Sequence, residues 1–124
     1  MNKKILIVDD DEDLHTLYGL YLQSESFQIV RAYNGKQALE MVEKENPDLI
    51  VLDMIMPVMD GEEFFTRLCT EKKGLNIPVI IASVNEKIPP KLFELGNIVT
   101  TLKKPFTIET LVGKIQEALA KKVS

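Results

Sequence analysis

Asp53 ends the apolar run Leu49 to Leu52, a place where a lone carboxylate is expensive unless it has a task. Continuous apolar runs mark parallel strands covered on both faces, and ligands of such sheets gather beyond the strands' carboxyl ends. Asp9 and Asp10 follow the run Ile5 to Val8, Ser83 follows Val79 to Ala82, and Lys104 comes just after Ile98 to Leu102. A parallel sheet would deliver all of them to one edge. Three crowded carboxylates repel, which raises the pKa of some or calls for a cation, and oxygen ligands without His or Cys point to Mg2+. Carboxylates with Mg2+, a cation and a hydroxyl suit phosphoryl transfer, where catalysis is mainly the placement of charge and donors around the phosphoryl oxygens. Asp53 is the candidate nucleophile, forming an aspartyl-phosphate, with Lys104 and Ser83 as its partners. Singly these residues say little: acidic pairs often cap helices, a strand-end Ser usually satisfies a turn, and a Lys before Pro is usually solvated. Their joint placement carries the argument.

The elements that must position them follow from periodicity. Five short apolar runs, Ile5 to Val8, Ile29 to Ala32, Leu49 to Leu52, Val79 to Ala82 and Ile98 to Leu102, are expected as strands. Between them lie helical periods. The first carries Leu14, Leu17, Tyr18 and Tyr21 at the spacing of one face, after Asp11, Glu12 and Asp13, which the macrodipole favours at a helix start. Gly19 within it costs about 1 kcal/mol relative to Ala, so packing must account for it. The second runs from Gly35 to Glu45 and is stopped by Asn46-Pro47; the third follows Asp60-Gly61 and presents Phe64, Phe65 and Leu68. Pro89-Pro90 leaves only a short fourth helix, from Pro90 to Leu95, and the last spans Ile108 to Lys121 through Leu111, Ile115 and Leu119. Strands alternating with helices give an α/β fold with a parallel sheet and right-handed crossovers.

Composition narrows the function classes. The chain of 124 residues is 45% hydrophobic and 27% charged, which fits one globular domain over residues 1–124 and excludes disorder. A net charge of -4 with dispersed basic residues argues against nucleic-acid binding by this domain. The single Cys69 excludes an internal disulfide. The tetrad Ile5 to Val8 is too short for a signal peptide, and no apolar stretch approaches the ~18 residues of a membrane span, so a cytoplasmic location without membrane association is expected.

The motifs KILIVDDDEDL, the Asn34, Gly35, Ala38, Leu39 pattern, PDLIVLDMIMPVMDG, PVIIAS and KKPF together resemble the receiver domain of two-component response regulators over essentially the full length. The resemblance implies a flavodoxin-like (βα)5 fold with strand order 2-1-3-4-5 and helices on both faces. It implies that Asp53 accepts a phosphoryl group from a sensor histidine kinase or histidine phosphotransfer protein, changing which partner the domain binds. Asp10 and Asp53 would hold Mg2+ directly, with the backbone carbonyl of Ile55, and Asp9 through water. Ser83 would bond a phosphoryl oxygen, Lys104 would pair with it, and the Lys104-Pro105 bond would be cis. Such a domain catalyses only its own phosphorylation and dephosphorylation, so a signalling switch is expected rather than an enzyme.

Two rival readings remain on the sequence. An aspartate-nucleophile phosphatase wants a second Asp two residues after the nucleophile, where Ile55 stands. A receiver-like module with lapsed phosphorylation would suit Val84, where a small residue is usual, Thr101, where an aromatic is usual, and the Pro89-Pro90 helix. Apolar Ile55 is expected to slow hydrolysis of the phosphoform by hindering water. His15, the only histidine, is expected to face solvent. Met54, Met56 and Met59 are expected as core and loop fillers rather than soft-metal ligands, and Asp60 as a helix cap.

Overall fold

The structure, a computed structural model, describes residues 2–71, 76–84 and 88–123, with side chains to residue 120. Strands and helices alternate: β1 Lys4–Val8, α1 Glu12–Ser24, β2 Gln28–Ala32, α2 Gly35–Glu45, β3 Leu49–Leu52, α3 Gly61–Thr70, β4 Val79–Ser83, α4 Pro90–Leu95, β5 Ile98–Lys103 and α5 Ile108–Val123. The five strands form one parallel sheet in the order β2-β1-β3-β4-β5. This is the flavodoxin-like (βα)5 arrangement. Chain direction across the sheet reverses between β1 and β3, the point where a crevice opens at the carboxyl edge.

The apolar runs are continuous because β1, β3 and β4 are buried on both faces, and successive side chains alternate between them. Leu6, Val8, Ile50, Leu52, Val79 and Ile81 pack with Ala38 and Val42 of α2, Phe64, Phe65 and Leu68 of α3, and Leu92 of α4. Ile5, Ile7, Leu49, Val51, Ile80 and Ala82 pack on the other side with Tyr18 and Leu22 of α1 and with Leu111, Ile115 and Ala118 of α5. Met54 and Met56 are buried in the first cluster and Met59 packs against it, so they fill space as expected. Cys69 is buried there too.

Local signals set the helix ends. Asp11, Asn34 and Asp60 cap α1, α2 and α3, each side-chain oxygen accepting from amides of the first turn, and Asn46 ends α2 in the left-handed conformation. Gly61 is required by close approach: a Cβ there would lie 2.6 Å from Met54 Cα and against the carbonyl of Asp53.

The inward face of α1 differs from the sequence expectation. Leu17 and Tyr21 are 44% and 49% exposed, and the buried residues are His15, Tyr18, Gly19 and Leu22. Tyr18 is buried and Leu14 packs against the core as expected, so only Leu17 and Tyr21 depart, the buried stripe lying one position further on. The true stripe contains a histidine and a glycine, which hydrophobicity does not mark. A Cβ on Gly19 would meet the guanidinium of Arg31 of β2, the far end of a flexible, exposed side chain. In α5, Leu111 and Ile115 are buried as expected, whereas Leu119 is only partly so and Ala118 takes the core position.

Candidate functional site

The carboxyl edge of the sheet brings Asp9, Asp10 and Asp53 together, with one carboxylate oxygen from each within 4.8 Å of the others. The sheet itself sets this spacing. The Asp53 amide donates to Val8 O at 2.9 Å and the Asp9 amide to Ala32 O at 3.1 Å, so β1 carries its neighbours' register into the site. Asp9 and Asp53 are buried, while Asp10 is exposed.

Lys104 reaches across from the end of β5. Its ammonium donates to Asp9 Oδ2 at 2.6 Å and stands 3.8 Å from Asp53 Oδ2. Ser83, at the end of β4, is buried, and its carbonyl accepts from the Lys104 amide at 3.0 Å. The Lys104-Pro105 bond is cis, as the resemblance implied. All the side chains that the sequence singled out therefore lie at one edge.

Burial pushes the Asp53 carboxyl above the ordinary carboxylate range. Lys104 opposes this, Asp9 adds to it, the Ile55 amide, 3.4 Å from Asp53 Oδ1, lowers it, and Asp10 raises it again. Tyr18, facing the cluster from α1, is raised by its own burial and by the charges of Asp9, Asp53 and Asp11. Three clustered carboxylates, all hard oxygen donors, make the environment that favours a hard cation such as Mg2+, and the residues present fit one. Ile55 and Val58, in the loop after β3, and Val84, after Ser83, are 56%, 78% and 62% exposed; Val58 adopts φ 68°, which a β-branched residue rarely does. Thr101 on β5 is exposed.

His15 is not the solvent-facing residue the sequence suggested. It is 2% exposed, its ring lies 4.4 Å from that of Tyr33, and its Nε2 is 2.7 Å from the carbonyl oxygen of Asp9. The only available signal was its position one turn into a helix that begins directly after the acids.

Comparison with known proteins agrees with this geometry. The family model for the response regulator receiver domain matches residues 5–116. The chain is 36% identical over 119 residues to sporulation initiation phosphotransferase F of Bacillus subtilis, covering 96% of this chain and 95% of that protein. It is 37% identical over 120 residues to response regulator GtcR of Aneurinibacillus migulanus, again over 96% of this chain but only 48% of that protein, so it spans about half the length of some curated relatives. Among solved structures, chemotaxis response regulator CheY4 of Vibrio cholerae superposes with a TM-score of 0.85 at 27% identity, covering 95% of this chain and 99% of that one. Receiver domains are signalling switches that bind Mg2+ at an acidic pocket and are phosphorylated by histidine kinases or phosphotransfer proteins. With its sheet order, its acidic recess and these matches, the chain belongs to the response regulator receiver domain family, the phospho-accepting domains of two-component signalling.

Proposed function

We propose that Asp53 is the phosphoacceptor of this chain and that Asp9, Asp10, Ser83 and Lys104 assemble the reaction around it. The observation that carries this is the convergence of three carboxylates within 4.8 Å beside a lysine able to reach two of them. A carboxylate oxygen of Asp53 attacks the phosphorus of a phosphohistidine; the new O–P bond forms as the P–N bond breaks, and the imidazole leaves. Lys104 moves from Asp9 toward the incoming phosphoryl oxygens and neutralises charge there, while the Ser83 hydroxyl donates to another. Asp10 and Asp53, with the Ile55 carbonyl, would hold Mg2+, with Asp9 supporting it through water. When bound, that ion supplies positive charge to the phosphoryl oxygens.

The domain then acts as a switch that catalyses only its own phosphorylation and dephosphorylation. A sensor histidine kinase or a histidine phosphotransfer protein is the donor, and a downstream protein is bound according to phosphorylation state. This reading treats residues 1–124 as one receiver domain and goes with a cytoplasmic location; no helix among the described residues is long and apolar enough to cross a membrane.

Incubation with acetyl phosphate and Mg2+, followed by intact mass, tests the proposal. One added phosphate is expected, absent from Asp53→Asn. No adduct on the unaltered chain would favour a lapsed interaction module, and turnover of unrelated phosphate esters would favour a phosphatase.

A further inference from the structure

The geometry points to His15 as a positioning residue for Asp10, acting through the Asp9–Asp10 peptide. This inference rests on the reading of Asp10 as an Mg2+ ligand. Asp10 is exposed and takes part in no hydrogen bond or ion pair among the described residues, so the direction in which its backbone leaves Asp9 bears directly on where its carboxylate stands beside Asp53.

Those neighbours are tightly held. On one side Asp11 is the cap of α1, accepting from Asp13 N and Leu14 N, and its own amide donates to Asp9 Oδ1 at 2.9 Å. On the other side Asp9 is held through its amide by Ala32 O and through Oδ2 by Lys104. What remains is the carbonyl of Asp9, the oxygen of the peptide whose nitrogen belongs to Asp10. A peptide unit is a rigid plane, so fixing its oxygen fixes the direction in which Asp10 leaves it. His15 Nε2, at 2.7 Å, holds that oxygen.

The ring suits this role better than a space-filling one. A carbonyl can only accept, so Nε2 carries a proton and donates it to Asp9 O. Nδ1 is buried with no partner, and a purely apolar side chain would fill the same space without leaving it so. The contact with Tyr33, rings 4.4 Å apart and inclined by 46°, keeps the imidazole from turning away. The single polar interaction of this buried ring is thus directed at the backbone of the acid pair.

The test compares His15→Leu with His15→Gln, whose side-chain amide also presents a donor at its far end. Calorimetric titration with Mg2+ should show affinity reduced about tenfold in the Leu variant, the scale for losing a group that orients a ligand, and largely restored in the Gln variant. In the metal-free proteins the Asp10 amide resonance should move in the Leu variant and stay near its original place in the Gln variant. Long-range nitrogen spectra of the unaltered chain, in mildly alkaline buffer, should show the neutral ring protonated at Nε2. Unchanged Mg2+ affinity and an unmoved Asp10 amide in a folded Leu variant would overturn the inference. So would a Gln variant as impaired as Leu, or a ring protonated at Nδ1. If the unaltered chain takes up no Mg2+, the reading of the acid cluster fails, and the metal-free spectra still decide whether His15 sets the Asp10 peptide.

Discussion

Lys104 is paired first with Asp9 and only second with Asp53: its ammonium lies 2.6 Å from one carboxylate and 3.8 Å from the other. Asp9 thus competes with Asp53 for the cation. Replacing Asp9 by Asn removes a like charge beside Asp53 and releases Lys104 toward it. The Asp53 carboxyl should move down toward the ordinary carboxylate range, which carbon-detected titration of that side chain would show. An Asp53 titration unaffected by Asp9→Asn would mean that the 2.6 Å pair does not hold Lys104 back.

Asp53 also leaves a mark on stability. Its folded pKa is raised above its unfolded value, mainly by burial. Between the two values the folded state binds more protons, so stability falls as pH rises through that window. The contribution is favourable below the ordinary carboxylate range and is lost as Asp53 ionises above it. Without Mg2+, thermal midpoints should therefore show a component that declines with rising pH and is absent from Asp53→Asn. In neutral buffer the Asn variant should melt higher than the unaltered chain, and saturating Mg2+ should narrow the gap. Equal melting of the two across the window would contradict this account.

Ile55 stands 56% exposed beside Asp53, with its amide directed at Asp53 Oδ1. An apolar side chain there offers an attacking water no hydrogen bond. Ile55→Asn should shorten the lifetime of the phosphoform about fivefold, equivalent to about 1 kcal/mol of barrier, measured by phosphate release in Mg2+ buffer. A lifetime unchanged or lengthened would remove Ile55 from the account of hydrolysis.

Val58 carries strain that the site does not need for its chemistry. Its φ of 68° costs a β-branched residue about 1–2 kcal/mol, and at 78% exposure little packing offsets this. Asn tolerates that conformation. Val58→Asn should raise unfolding free energy by about 1 kcal/mol, seen as a higher urea midpoint at unchanged slope. Loss of stability would show that the Val58 side chain has contacts worth more than the strain.

Much of this was legible in the sequence because apolar strands and strand-end acids are strong, local signals. The runs at Ile5, Leu49 and Val79 are buried on both faces, so each reads as unbroken, and α2 and α4 begin and end where Asn34, Asn46, the prolines and Gly96 place them. The face of α1 was legible only in part, through Leu14 and Tyr18. Its buried stripe also contains His15 and Gly19, covered by other elements of the fold, a tertiary reason that no helical period encodes. For the same cause His15 looked like a surface residue: its partner is a backbone carbonyl, and carbonyls have no letter in a sequence. The preference of Lys104 for Asp9 over Asp53 is likewise a matter of about an ångström, below what residue order can convey.

The amide of Asp53 is joined to the carbonyl of Val8, and Val8 is paired with Leu52 in the register of β1 and β3. A slip of one residue between these strands would reverse which face every side chain of β3 meets and would carry Asp53 away from Asp9 and Asp10. The spacing of the carboxylates therefore has discrete values and no gradual ones. One backbone hydrogen bond between neighbouring strands thus ties the distance between the acids of two different loops to the pairing of the sheet.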